Sequence, residues 1–378
     1  YSSDRFFYLS EVSLNSPDRR ATFGDNFGYT RNGVAITRYA NENITWEISK
    51  ETNVGMDMLL FNSLNVIVDV FKKKRTNILM PRAFIPATMG LTAVTSANVG
   101  AASSKGIDLA LDYSKSFRDF WISARGTFTY AASKLTQNEE PEYAPNEYYL
   151  SRLGHPLVMN VGLIAERLFV DDEDVKNSPR QTFGEVRGGD IKYRDLNGDG
   201  QITNLDRVNG LGHSASPEIV YGFGFSAGYK AFEFNAFFQG VARTSIYIDP
   251  SQISPFVMSG SNQNGLLDII AKDHWSEDNQ NIYAFWPRLS PTLNANNTQP
   301  STWWLRNGAF LRLKQVELAY NLTEKQLRKI RLSGLRVYIN ANNLFKFTDF
   351  KLWDPEQGSN GLGYPVQKVI NMGVRLEI

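Results

Sequence analysis

Residues 219–243 alternate between oily and small or polar side chains with a period of two, the period of a β-strand whose two faces meet different surroundings. In YGFGFSAGYK, Tyr221, Phe223, Phe225, Ala227 and Tyr229 share one face, and Gly222, Gly224, Ser226, Gly228 and Lys230 share the other. After a minimal turn, AFEFNAFFQG sets Phe232, Phe234, Ala236 and Phe238 against Glu233, Asn235 and Gln239. The two stretches read as a hairpin with one oily side. Leu335, Val337, Ile339 and Ala341 repeat the design against Arg336, Tyr338, Asn340 and Asn342. Ile370, Met372, Val374, Leu376 and Ile378 repeat it against Asn371, Gly373, Arg375 and Glu377. In FLRLKQVELAYNL the apolar phase slips between Leu313 and Val316, as a β-bulge would make it do.

Alternation alone does not say whether the oily face meets a second sheet or a bilayer. Connection lengths separate the two. Strands are expected over 44–60, 64–75, 106–114, 119–131, 219–229, 232–243, 309–322, 335–347 and 368–378, with a weaker tenth over 6–14. The connections are short near 62, at 115–118 and at 230, intermediate at 323–334, and long over 76–105, 132–218, 244–308 and 348–367. Short turns thus fall on one side and long loops on the other, an asymmetry of outer-membrane barrels that a sandwich has no reason to keep. Tyr113, Phe120, Tyr229, Phe232 and Tyr320 sit at the short-turn end, and Tyr221, Trp303 and Trp304 near the long-loop end. They read as two interfacial girdles, or, in a soluble protein, as aromatic caps on a core. The expected fold is all-β, a transmembrane antiparallel β-barrel. No apolar run approaches the ~18 residues of a membrane helix, which barrel strands do not need.

Composition removes several functions. Charge nearly cancels, 40 Lys and Arg against 39 Asp and Glu, so no nucleic-acid partner is expected. Without cysteine there is no disulfide, thiolate metal site or Cys nucleophile. His155, His213 and His274 stand apart in loops. The sequence lacks a nucleophile elbow, a phosphate loop and an HExxH, so no catalysis is expected. The acidic run at Asp171–Asp174 reads as a solvated loop. KKKR, Lys72–Arg75, placed at the long-loop end of its strand, would meet lipopolysaccharide phosphates or form a solvated rim.

One loop has metal-ligand spacing. In DLNGDGQITNLD, Asp195, Asn197, Asp199, the Gln201 carbonyl, Thr203 and Asp206 occupy the ligand positions of an EF-hand-type loop, with Gly200 at the sharp turn and Ile202 as apolar anchor. Calcium is the implied ion; the alternative is a tight Asn-Gly and Asp-Gly turn with solvated carboxylates. Neither flank shows the amphipathic helix of a sensor, so the loop is read as a structural staple. Trp275, Trp286 and Trp353, on long loops, are candidates for contact with ligand or a covering partner, or else pack within their own loops.

Several blocks carry a further signal through their order and spacing: NITWEISKETNVGMD, with Thr45, Trp46, Glu47, Lys50, Asn53, Gly55 and Asp57; SSKGIDLALDY; the calcium-like loop; DHWSEDNQNIYAFWPRL, with Trp275, Asn279, Pro287 and Arg288; WWLRNGAFLRLKQVELAYNL; LRVYINANNLF; and GYPVQKVINMGVRLEI. From about Asn43 to Ile378 the chain resembles the SusC/RagA-like TonB-dependent outer-membrane transporters. The resemblance implies that residues 1–378 are the C-terminal portion of a plugged barrel of roughly 22 strands, supplying about 9–10 of them, with the plug absent from this chain. It implies import of oligosaccharides or peptides across the outer membrane of a Gram-negative bacterium, with long loops extracellular. The implied partners are the N-terminal plug and barrel part, a SusD-like surface lipoprotein, TonB through the plug, and outer-membrane lipid. With no initiating Met or signal peptide, Tyr1 reads as the start of a fragment or processed chain, and Ile378 stands where the family usually ends in an aromatic. The rival from another class is a secreted, soluble β-rich glycan-binding module with a dockerin-like calcium loop.

Overall fold

The computed structural model describes residue 6 and residues 8–377, apart from 84, 260, 261, 324, 325, 328–332 and 360. Its main strands are β1 (Glu11–Phe23), β2 (Tyr29–Arg38), β3 (Ile48–Leu60), β4 (Leu64–Pro81), β5 (Ser96–Phe117) and β6 (Phe120–Gln137), then β7 (Ile219–Tyr229), β8 (Phe232–Ala242), β9 (Phe310–Asn321), β10 (Gly334–Thr348) and β11 (Val369–Glu377). β3 to β11 form one nine-stranded antiparallel meander in which each strand pairs with its sequence neighbours. Among the described residues β3 and β11 have no further partner, so the sheet is an open wall with two unpaired edges.

Register gives the wall its two faces. Phe223 pairs with Phe238 and with Gly126, Phe225 with Ala236 and Ala124, and Val70 with Val54 and Ile107. These side chains all point outward, and no second sheet covers them: Phe223 and Phe225 are each 43% exposed, Val54 70% and Met372 80%. A monomeric soluble protein rarely exposes so large a continuous apolar surface, which removes the soluble-module reading. The largest cluster of buried side chains lies elsewhere. Leu163, Leu168, Ile191, Tyr193, Ile202, Ile248, Ile270 and Trp304 form a core inside the long connections 138–218, 243–309 and 349–368.

The turns lie where expected. Residues 61–63, 118–119 and 230–231 close hairpins, with Asn62, Arg118 and Lys230 at positive φ of 50°, 36° and 54°. Much of the 323–334 connection, and Ile378, fall outside the described residues. The expected bulge is present: pairing shifts between Leu313 and Gln315 against β10, and between Phe237 and Phe238 against β9.

Three expectations are corrected. β4, β5 and β6 run well past the predicted ends, so the loop expected at 76–105 shrinks to 82–95 and KKKR lies inside β4. The extensions rise above the apolar band, where an oily face is no longer required and alternation fades. Of the strand expected at 6–14 only residues 11–14 are strand; they open β1, which pairs with β2 as a separate hairpin and does not join the wall. That hairpin is exposed along both faces, so it carries little apolar periodicity to read.

Phe223→Arg in the intact protein, folded into a bilayer, is expected to lose ~2–4 kcal/mol, the cost of a charge facing lipid near mid-depth. Ser226→Arg, three positions along β7 and on the opposite face, is expected to lose far less. Urea unfolding in lipid vesicles measures both.

Candidate functional site

The inner face of the wall is polar and cross-linked. Arg336 on β10 pairs with Glu233 on β8 and with Glu317 on the intervening β9 at 2.7 Å. Asn321 donates to Glu233 at 2.9 Å, and Asn371 reaches Asn340 at 3.2 Å. Farther round, Arg125 pairs with Asp112 at 2.6 Å, Thr129 donates to Asp108 at 2.6 Å, and Asn53 donates to Asp69 at 3.2 Å. Asn235, Gln239 and Asn342 share the same face, as their alternation required. Such a surface suits a wet conduit: each charge just named has a polar partner on a neighbouring strand, and the backbone is already satisfied by the ladders.

Above the wall the long connections fold together around Asp190. This fully buried carboxylate forms an ion pair with Arg288, whose Nε lies 2.9 Å away, and accepts hydrogen bonds from Asn297 Nδ2 at 2.8 Å, Asn294 Nδ2 at 3.1 Å and the Arg187 N–H at 2.9 Å. Burial pushes its carboxyl above the usual range, and Arg288 opposes that shift. Around it, Gln181 donates to Asn296 and accepts from the Tyr193 N–H, while Tyr193 Oη and Trp304 Nε1 donate to the Asn296 and Asn297 carbonyls. The segment 138–218 is thereby fastened to 288–305. Nearby, the guanidinium of Arg167, 2.5 Å away, holds the Asp174 carboxyl well below its usual range, helped by the Val170 N–H and Lys192.

The tryptophans resolve toward packing. Trp275 is 7% exposed and Trp286 6%, both in the loop core, with the Trp286 ring 5.0 Å from Trp304. Both fit the packing alternative, although Trp275 and Trp286 each still line a surface cleft. Trp353 is half-buried, its Nε1 donating to the Gly358 carbonyl and its ring edge-on to Phe350. It too packs within its own loop.

The calcium-like loop has a defined shape. Asp195 accepts from the N–H groups of Gly198 and Gly200 at 2.7 and 2.8 Å, and Asp199 from that of Gln201 at 2.8 Å. Asn197 accepts from the Asp199 N–H at 3.0 Å. Asp206, fully buried, accepts from Leu196 and Thr203 N–H groups, and Thr203 caps the short turn at 204–206. Gly198 and Gly200 take φ of +76° and +78°, and Ile202 is buried as the expected anchor. No helix adjoins either end of the loop beyond that single turn. The donors are all oxygen, which fits a hard cation. The loop is nevertheless closed by its own backbone N–H groups, and among the described residues no three His, Cys, Asp or Glu gather as a metal site.

Residues 15–344 match the family of TonB dependent receptor-like β-barrels. The chain belongs to that family. These receptors are outer-membrane barrels, and the group is one of transporters and receptors rather than enzymes. TonB-dependent receptor P3 of Formosa agariphila is 26% identical over 92% of this chain and 36% of its own length. TonB-dependent receptor SusC of Bacteroides thetaiotaomicron is 23% identical over 99% of the chain and 36% of its own. Among solved structures, the RagAB peptide transporter superposes with a TM-score of 0.66 at 22% identity, over 97% of this chain and 38% of the other. The receptor chain thus spans just over a third of the length of the relatives it matches.

In the receptor the sequence located the polar wall and missed the Asp190 centre. Asp190, Asn294 and Asn297 come from GGDIKY and NANNTQP, which carry only turn signals, and Arg288, singled out in its own block, carried no sign of its partner.

Asp190→Ala is expected to strip Arg288, Asn294 and Asn297 of their acceptor and loosen the loops by roughly 3–5 kcal/mol while leaving the wall folded. Hydrogen exchange should rise over 163–193 and 288–305, and heat-resistant migration of the barrel should persist. Asp174 supplies a pH test. Its folded pKa lies below its unfolded one, so its contribution is complete above the ordinary carboxylate range and is lost as pH falls through the folded value. Protection of Val170 is therefore expected to decline on acidification below about pH 4 in the native protein and to lose this dependence in Asp174→Asn.

Proposed function

We propose that this chain is the C-terminal part of an outer-membrane nutrient importer, forming barrel wall and extracellular loops and working with an N-terminal part that completes the barrel and carries the plug. The observation that carries the reading is the division of one continuous sheet into an uncovered apolar face and an ion-paired polar face, with tight turns at one end and an ordered loop assembly at the other. Two unpaired edges call for further strands, because a barrel wall in lipid leaves no open edge. The extent of the relatives, each well over twice as long as the matched region, supports the same division of labour.

Import of oligomeric nutrients is the function this geometry serves best. A wide polar wall offers hydrogen bonds without a deep apolar pocket, and rigid loops give a partner a defined platform. The cargo is an oligosaccharide or a peptide; the similarity to SusC and to the RagAB peptide transporter supports that class. A SusD-like surface lipoprotein seated on the loops, and TonB acting through the plug, complete the machine. In the calcium-like loop, Asp195, Asn197, Asp199, Gln201, Thr203 and Asp206 would hold a structural Ca2+ supplementing the backbone closure already present.

The chain has no cysteine, so single substitutions report cleanly. On intact cells a membrane-impermeant maleimide is expected to label Leu205→Cys in the long-loop assembly and to spare Arg118→Cys in a tight turn; the reverse pattern would invert the proposed orientation. Deleting the gene should abolish growth on the cognate oligomer, and pull-down should recover a lipoprotein. For the loop, calcium addition is expected to raise the melting temperature of the native protein and not that of an Asp195→Ala, Asp199→Ala variant.

A further inference from the structure

On the outward face of β3 to β6 the apolar rungs end abruptly in lysine. Met56, Val68, Leu109 and Phe128 form one rung, and Val54, Val70, Ile107 and Tyr130 the next. The rung above is Thr52, Lys72, Lys105 and Ala132, and the one after it is Lys50, Lys74, Ser103 and Lys134. Lys72 therefore stands directly opposite Lys105, and Lys50 directly opposite Lys74. All five lysines are exposed. Like charges in directly opposed strand positions repel, so this face holds an uncompensated positive field.

The inner face of the same strands is handled differently. There Lys73 pairs with Glu51 at 3.5 Å and Arg75 pairs with Glu47. The outward residues of β3 to β6 include no Asp or Glu, and among the described residues none of the five lysines has an ion-pair partner. Nor is the patch a general feature of the wall: the outward residues of β7, β8 and β11 carry no charge at all.

We propose that this patch binds the phosphate groups of a phosphorylated glycolipid in the outer leaflet. The inference rests on the importer reading for which face meets lipid and which end is extracellular. Lysine stems lie along the last apolar rung and carry their ammonium groups to headgroup height. Ser103 and Thr52, on the same two rungs, add hydroxyl donors. The acyl chains of such a lipid lie against Val70, Ile107 and Tyr130 directly below, so one molecule satisfies the apolar band and the charge above it. A soluble anion would engage only the upper rungs. The anchored lipid screens the Lys72–Lys105 and Lys50–Lys74 repulsions and fixes the rotational setting of the wall in the leaflet.

The intact receptor, purified with its N-terminal part, is placed in nanodiscs of zwitterionic phospholipid with and without a bisphosphorylated glycolipid. Thermal stability and glycolipid retention are then measured for the native protein, for Lys72→Gln with Lys105→Gln, for Lys74→Gln with Lys134→Gln, and for the lumen-facing control Lys73→Gln. The glycolipid is expected to stabilise the native protein and the control. Each outward double variant should bind it about 10- to 30-fold more weakly, the loss expected for two surface lysines. Equal stabilisation of native protein and outward variants would overturn the proposal. So would equal stabilisation by the dephosphorylated glycolipid or by inorganic phosphate alone. Failure of the native protein to enter discs of any composition would instead overturn the membrane-wall reading, a separate outcome.

Discussion

Everything in this chain depends on keeping successive side chains on opposite sides of one sheet while every backbone group in the sheet interior is hydrogen-bonded. A strand crossing lipid can leave no N–H or C=O unpaired, and an antiparallel ladder with a fixed register achieves that. Once register is fixed, faces follow: Phe223, Val70 and Met372 must look outward because Glu233, Asp69 and Asn371 look inward. A slip of one residue would exchange the two sets completely. Such a slip would put Glu233 and Arg336 into hydrocarbon, which excludes any odd-residue shift of register in a membrane.

The loops obey a different economy. They stand in water, so they need a core of their own, and a polar centre ties that core together. Arg288, Asn294 and Asn297 all converge on Asp190 Oδ1, and the Arg187 N–H donates to Oδ2, so neither oxygen is left without a partner. A buried charge so arranged contributes less net stability than specificity, because any other packing of these loops strands it without partners. That is the physical reason a segment this long packs into one defined arrangement. Trp275, Trp286 and Trp304 supply the apolar mass around the centre.

How much of this was legible depended on whether a side chain answered to its neighbours two residues away or to partners far along the chain. The wall was readable because alternation is local: Phe232, Phe234, Ala236 and Phe238 declare their face without reference to anything else. The strand ends were read short, since above the membrane band β4 to β6 continue as ladders whose side chains need not alternate. The hairpin Glu11–Phe23 with Tyr29–Arg38 was half seen for the same reason. Of the loop core, little beyond the Ile202 anchor and the packing alternative for the tryptophans was legible. Asp190 and Asn297 lie more than a hundred positions apart and meet through a fold that no short motif encodes. The calcium-like spacing was legible as a turn with a buried anchor at Ile202, and its closure by backbone N–H groups was visible only in three dimensions.

The bulge at Leu313–Gln315 joins these two economies. Below it, Gln315, Glu317 and Ala319 face inward, so in an unbroken strand Leu311 and Leu313 would face inward too and Arg312 would point into lipid. The extra residue reverses that parity. Leu311 and Leu313 turn outward beside Phe347 and Phe345, and Arg312 turns inward. There its guanidinium, almost wholly buried, meets Asp354 of the last long connection at 2.5 Å and Glu356 at 3.3 Å, while Lys314 also reaches Glu356. A single inserted position thus removes a charge from the bilayer and uses it to fasten a loop to the wall. The phase slip in the sequence is therefore a hinge between lipid-facing and loop-bearing halves of the strand. Its physical cause is that one strand must satisfy hydrocarbon below and a buried ion pair above without losing its ladder.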